Sequence, residues 1–254
     1  MRKLCLWLCL WLPLTASALS IYTEDWPPVS FERGGAADGL AVDVVRAIQA
    51  RIKDRTAVEV VPWARGYQSL LTTPDVMLFT VGRSEAREKL MTLLGPVAIS
   101  QTLLLCRKGE AAALQALGAG ILQRAVGAYR GSIFADAASS AGFVELDLAP
   151  TPQVAAQKLL SGRYDLWVDG GLVVSSILRD IHQSDDAVET VKVLDSLELY
   201  LAFSRGTSAA EIRRWRDGFA AIRADGTFRR LYAKWMPNLT PPAMLRQVGL
   251  TPAH

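Results

Sequence analysis

Five short polar clusters each follow a segment that reads as a strand. They are Glu24-Asp25-Trp26-Pro27-Pro28, Pro62-Trp63-Ala64-Arg65, the run from Thr80 to Arg87, Tyr129-Arg130-Gly131-Ser132, and Asp169-Gly170-Gly171. Their chemistry is that of holding a small polar molecule. A guanidinium fork such as that of Arg87 matches the two oxygens of a carboxylate. Asp169 could receive an ammonium and Trp26 could wall a pocket with flat apolar surface, while Glu24 and Trp63 add an anionic and an aromatic group at the same edge. Gly131 and Ser132 offer free backbone N–H groups and a hydroxyl where a helix begins, and Gly82 and Ser84 fall in the cluster after the third strand. Each residue also has a plainer reading. Arg87 could pair with Glu85 or Glu88 on a helix surface, Trp26 could be a core aromatic, and Ser132 could do no more than start a helix. Asp169 could cap the helix after it. Arg65 and Arg83 could equally be solvated surface charges.

Catalysis finds little footing. The chain has two histidines, His182 and His254, the second its last residue. His182 falls late in an apolar helical stretch and is expected at the surface or at a helix end. There is no GxSxG, HExxH, CxxC or phosphate loop, so neither a metal nor a cofactor is expected. Gly118-Ala119-Gly120 lacks a third glycine at the right spacing and reads as a turn.

The elements that must position these clusters alternate in period. Residues 20–23 read as a strand, and Leu40, Val44, Val45, Ile48 and Ile52 mark one helix face. Strands at 58–61 and 76–81 flank a short helix at 64–71. The rhythm restarts after Lys108, with strands at 125–128, 143–146, 164–168, 191–194 and 197–203, and helices at 132–141, 154–160 and 173–181. Such alternation implies parallel strands with right-handed crossovers, and two successive units of this size read as two α/β lobes. Ligands of open α/β sheets sit beyond the carboxyl ends of the strands, where all five clusters fall. At the C-terminus, Ser208 and Glu211 have the spacing of a capping box. Two stripes follow, Ile212, Trp215, Phe219 and Ile222, then Phe228, Leu231, Tyr232 and Trp235, and both are expected in the core.

Composition sets the compartment. Arg2 and Lys3 precede an apolar run to Leu14, and Ala16-Ser17-Ala18 supplies small residues, so 1–18 reads as a signal peptide cut after Ala18. The run is too short to span a bilayer of about 20 residues, and Cys5 and Cys9 lie too early for lipid attachment. The remaining 236 residues hold 26 Lys and Arg against 25 Asp and Glu, and Cys106 is their only thiol. An internal disulfide is thereby excluded, and a near-neutral chain does not fit nucleic acid as its main partner.

Several of these runs resemble one family. Thr23-Glu24-Asp25-Trp26-Pro27-Pro28, followed by the segment from Gly39 to Val44, is similar to the opening of the bacterial extracellular solute-binding proteins, family 3, the polar amino-acid class. The run from Arg83 to Lys89, ending in Gly95-Pro96, is similar to that family's segment before its crossing strand. The segments from Gly162 to Trp167 and from Asp225 to Trp235 fit as well. The resemblance implies a type II periplasmic binding protein, a Venus flytrap of two α/β lobes with two hinge crossings. Residues 19–104 plus 204–254 would form the first lobe and 105–203 the second. By the same resemblance Arg87 would bind a ligand α-carboxylate, helped by Ser84 and the Gly82 backbone, while Trp26 stacks. From the second lobe Gly131 and Ser132 would close over the carboxylate and Asp169 would take the amino group. Ser84 stands where the family often has threonine, and glycines follow Asp169 where bulkier residues are common. The implied role is that of a periplasmic monomer delivering an amino acid to an ABC transporter permease, its lobes compacting on the ligand. Two other roles are compatible: ligand sensing in trans, or a dehydratase-like enzyme on the same fold with Glu24 or Asp169 as acid–base groups.

Overall fold

A computed structural model describes residues 19–250 of the chain. The expected leader, its cleavage site and Cys5 and Cys9 lie outside the described residues.

In chain order the first half contains β1 (Ser20–Thr23), the hairpin of β2 (Phe31–Arg33) and β3 (Ala36–Asp38), α1 (Leu40–Ile52), β4 (Val58–Val60), α2 (Trp63–Thr72), β5 (Val76–Gly82), α3 (Glu85–Glu88) and β6 (Thr92–Arg107). The second half contains α4 (Ala111–Ala116), β7 (Val126–Tyr129), α5 (Ile133–Ser140), β8 (Leu146–Ala149), α6 (Pro152–Leu160), β9 (Leu166–Gly170), α7 (Val174–Asp180) and β10 (Val188–Phe203). The chain then runs through α8 (Ala209–Ala224), α9 (Thr227–Trp235) and β11 (Arg246–Gly249).

Two parallel blocks result. β1 lies between β4 and β5, and β7 lies between β8 and β9. β5 is buried at all seven positions, as the apolar run Val76–Val81 requires of a strand covered on both faces. Between the blocks run two long antiparallel strands, in the order β5-β10-β6-β9. β6 pairs with β11 through Thr92–Gly95 and with β9 through Thr102–Leu105, while β10 reaches β5 only through its last residues, Leu199–Phe203. Each long strand therefore belongs to both blocks, and these are the two crossings.

Here the structure differs from the sequence pattern. Residues 191–194 and 197–203 look like two strands, yet they are one strand of 16 residues. Its pairing with β6 shifts register near Lys192, Asp195 and Leu201, and these irregularities break the alternation that would have marked a continuous strand.

The helices cover the first block as their stripes dictate. Leu40, Val44, Val45 and Ile48 of α1 are fully buried, and Ile212, Trp215, Phe219 and Ile222 of α8 pack toward them. Gly218 permits this approach, since a Cβ there would sit 2.7 Å from Ile52 Cγ2 and 3.0 Å from Ile48 Cγ2. Phe228 and Tyr232 of α9 are buried, whereas Leu231 and Trp235 are half-buried. Ser208 accepts a bond from the Glu211 N–H at 3.2 Å, but the Glu211 carboxylate turns instead to Trp215 Nε1 at 2.9 Å and to Arg214. Only half of the capping box forms, because an indole donor in the core competes for the same carboxylate. His182 is exposed just past the end of α7. Among the described helices none is long and apolar enough to cross a membrane.

Candidate functional site

The polar clusters meet where the two blocks face each other. Glu24 follows β1, Gly82 ends β5, and Arg87 lies in α3, all on the first block. Tyr129 ends β7, Ser132 opens α5 and Asp169 lies in β9, all on the second. Direct bonds cross the seam: Trp63 Nε1 donates to Gly131 O at 3.0 Å, and Ser176 Oγ donates to Pro27 O at 2.6 Å.

Arg87 is 3 % exposed and makes no ion pair with Glu85 or Glu88, so the surface-pair reading fails for it. Its Nη1 donates to Gly82 O at 3.0 Å, and its guanidinium carbon lies 5.2 Å from the ring centres of both Trp63 and Tyr67. Those rings are themselves stacked at 5.1 Å. The cation is thus held by aromatic faces and one carbonyl, which leaves further guanidinium donors for a ligand. Glu88 pairs instead with Arg83 at 2.6 Å, and Arg83 also approaches Glu198, at the half-exposed edge the solvated reading expects.

Asp169 is fully buried. Oδ1 accepts from the Gly170 N–H at 2.7 Å, and Oδ2 has no partner. It does not cap α7, whose first turn receives no side-chain bond. Burial raises the Asp169 carboxyl to about 8 despite the Gly170 N–H and the Trp167 indole, which lower it; the indole stands close to the carboxyl but outside hydrogen-bond geometry. Glu24 is 8 % exposed, and its carboxyl is likewise raised to about 8, first by burial and then by the negative Asp169, with Arg87 pulling the other way. The Tyr129 phenol is pushed up by burial and by the same two carboxylates. Mutual influence of this kind places Glu24, Asp169, Arg87 and Tyr129 in one electrostatic cluster with two acids and a single permanent cation.

The remaining candidates divide. Ser132 is committed to helix geometry: its Oγ donates to Tyr129 O at 2.6 Å and accepts from Ala135 N at 3.1 Å. Ser84 caps α3, accepting from the Arg87 N–H at 3.3 Å, and so fixes the arginine's backbone. Gly131 takes a positive φ of 71°, which turns its carbonyl to Trp63. Trp26 is buried and lies 6.1 Å from the Phe134 ring. Arg65 is exposed on α2 and lines none of the described cavities.

Two cavities border the cluster. A flank cavity of about 490 Å³ is open to solvent and lined by Glu24, Asp25, Glu32, Trp63, Tyr129 and Arg130, among others. The deep space lined by Glu24, Trp26, Thr80, Arg87, Tyr129 and Phe134 measures only about 10 Å³. Thr80, Tyr129, Ile133, Phe134, Leu197 and Leu199 line the deep space without having been singled out as candidates. Thr80 and Tyr129 sit within the named clusters, and their positions at strand ends were the available signal. Thr80 adopts a φ of 67°, a rare conformation for a β-branched residue. Leu197 and Leu199 gave no signal, because only the register of the crossing strands turns them toward the seam.

Comparison with known proteins identifies the family and the fold. The sequence model of the bacterial extracellular solute-binding proteins, family 3, matches residues 19–238. No curated protein matches the chain. Among solved structures, a histidine kinase sensor domain with similarity to periplasmic binding proteins aligns with a TM-score of 0.76 at 23 % identity, covering 89 % of this chain and 99 % of that one. The arginine-, lysine-, histidine-binding protein ArtJ from Geobacillus stearothermophilus aligns with a TM-score of 0.72 at 16 % identity, covering 89 % and 97 %. A periplasmic His/Glu/Gln/Arg/opine family-binding protein from Silicibacter pomeroyi, in complex with lysine, gives 0.71 at 15 % identity, covering 89 % and 100 %. At these identities the likeness establishes the fold, that of type II periplasmic binding proteins, and the match over most of the sequence establishes more: this chain belongs to the bacterial extracellular solute-binding proteins, family 3.

Proposed function

We propose that the protein binds an amino acid in the periplasm, preferably a basic one, and passes it to an ABC transporter permease. The observation that carries this reading is the division of buried charge across the seam: Arg87 on one lobe and Asp169 on the other, with Glu24 beside them. Arg87 takes the solute carboxylate, and Asp169 takes the α-ammonium. Two buried acids face one arginine, and each is raised to about 8, so a solute that brings an α-ammonium and a second positive group can take the place of both protons. The flank cavity extends from Glu24 past Asp25 and Glu32, so a basic side chain finds acidic walls along it. The lobes read from the sequence as 19–104 with 204–254 and as 105–203 exchange a few residues earlier on both long strands, since Thr102–Leu105 pair with β9 of the second block and Leu199–Phe203 with β5 of the first; the mature chain acts as a monomer after loss of residues 1–18. Catalysis is not part of this reading, in which the two acids receive positive groups of the solute. The likeness in fold to a kinase sensor domain favours a second use, reporting the bound state to a membrane partner in trans.

A thermal-shift survey of the twenty amino acids, polyamines and small dicarboxylates on the mature chain tests the reading. A solute at 100 times its dissociation constant adds about 2.7 kcal/mol, or about 5–10 °C for a chain of this length. Lysine or arginine should give the largest shift, neutral amino acids smaller ones, and dicarboxylates none. A survey in which no amino acid moves the transition contradicts the proposal.

A further inference from the structure

The deep space between the lobes is occupied by the protein itself. Trp26, from the first lobe, and Phe134, from the second, are buried to within a few per cent with their ring centres 6.1 Å apart. Tyr129 lies 5.8 Å from Phe134, and Ile133, Leu197 and Leu199 fill the remainder, leaving about 10 Å³. No amino acid fits such a volume, since even one water requires about 10–15 Å³.

The seam is shaped for this filling. A Cβ on Gly170 would lie 2.8 Å from Trp26 Cζ2 and 3.0 Å from Phe134 Cζ. A Cβ on Gly82 would lie 2.7 Å from Leu197 Cδ1 and 2.9 Å from Ile133 Cδ1. Neither glycine has a positive φ, so backbone conformation does not demand them; close approach of the opposing side chains does. The filling is also imperfect in polar terms. Trp26 Nε1, at the plug itself, is buried without a partner, and Asp169 Oδ2 has only the Trp167 indole near enough to lower its carboxyl. Apolar contact favours closure, while orphaned donors and acceptors favour whatever opens it.

We propose that Trp26 and Phe134 form an internal plug, on which the lobes rest closed without any solute, and that a solute gains Arg87 and Asp169 by displacing it. Binding then begins with opening rather than compaction. Apparent affinity falls in proportion to the open fraction, so the plug also selects for solutes with enough contacts to overcome it.

The test uses small-angle scattering on the mature chain, unfolded in guanidinium and refolded to strip any copurifying solute, with no solute added. The wild type should give the profile calculated from the closed structure, with a radius of gyration of about 18 Å. Gly170→Ala, which wedges a methyl against both plug rings, should give a larger radius and a profile the closed structure does not fit. Phe134→Ala, which removes half of the plug, should do the same and serves if Gly170→Ala does not fold. An expanded wild type overturns the proposal, and so does a closed profile for the folded variants. Because no amino acid enters the experiment, failure here leaves the binding reading standing, and failure of the survey leaves the plug standing.

Discussion

Arg87→Ala should weaken solute binding by roughly ten- to a hundredfold, the loss of a shielded, charge-assisted contact worth about 1.5–3 kcal/mol. From sequence alone the substitution is expected to leave folding almost untouched, because the side chain faces a cleft. The structure alters that expectation. The guanidinium packs on Trp63 and Tyr67 and holds the Gly82 carbonyl, so its removal strips a buried acceptor and two aromatic faces of their partner. A fall in melting temperature should therefore accompany the loss of affinity. It also leaves Glu24 and Asp169 without a permanent counter-charge. Arg87→Lys should restore part of the stability, since an ammonium still answers the two acids, but little of the affinity, since it lacks the planar fork. Calorimetry with the strongest amino acid from the thermal-shift survey, run beside thermal melting, separates these effects. Near-normal affinity in a folded Arg87→Ala protein would remove the arginine from the site and shift attention to Arg130 on the flank cavity and then to Arg65 and Arg83.

The second large effect is on pH dependence. Burial raises both Glu24 and Asp169 to about 8. In the unfolded chain both titrate near 4. Between those values the closed protein holds protons that the unfolded chain has released, so the stability these acids contribute is present below about pH 4 and is lost as pH rises to about 8. Each retained proton sets a slope of about 1.4 kcal/mol per pH unit. Opening the seam relieves the cost more cheaply than unfolding, because solvation restores both carboxyls without disturbing either sheet block. Alkaline pH should therefore part the lobes and lower the melting temperature. The groups facing the pair work in both directions: Arg87 opposes the shift of Glu24, while Asp25, itself raised by burial, adds to it, and the Tyr129 phenol stays neutral throughout. Asp169→Asn removes one titrating group and the negative charge that helps to raise the other. Melting from about pH 5 to about pH 9 should show a decline in the wild type and a flatter profile in Asp169→Asn, even though the variant loses solute binding. Parallel profiles would show that these carboxyls do not titrate in this range. A solute ammonium placed on Asp169 should likewise displace protons near neutral pH, seen as a dependence of the binding enthalpy on the buffer used.

Much of this was legible in the residues. The apolar stripe of α1, the continuous β5 and the restart of the rhythm after Lys108 suffice for two α/β blocks, because parallel strands and amphipathic helices carry their burial in their period. The resemblance in four ordered motifs pointed to the crossings but not to their length. β10 was obscured by its own register irregularities, and β11 is a short edge strand, Arg-Gln-Val-Gly, that pairing with β6 alone defines. At the site, Arg87 and Asp169 stood out because strand ends select them, and the structure adds that both are buried and that Asp169 has a free oxygen. Ser132 and Ser84 were equally visible in sequence, yet helix ends claim their hydroxyls. The plug was not visible. Phe134 reads as one more apolar helix residue, Leu197 and Leu199 as strand interior, and Gly170 as a loop glycine. What they do depends on which side chain of the other lobe stands opposite, and a linear pattern does not encode that.

The most direct test of the central claim, that a solute is held between the Arg87 of one lobe and the Asp169 of the other, is a crystal structure of the mature chain with the amino acid that gives the largest thermal shift. The account predicts its carboxylate within hydrogen-bonding distance of the Arg87 guanidinium, its α-ammonium on the Asp169 oxygen that now lacks a partner, and Phe134 moved aside. A fully occupied solute seated elsewhere, with Trp26 and Phe134 still in contact and Asp169 Oδ2 still alone, would contradict it.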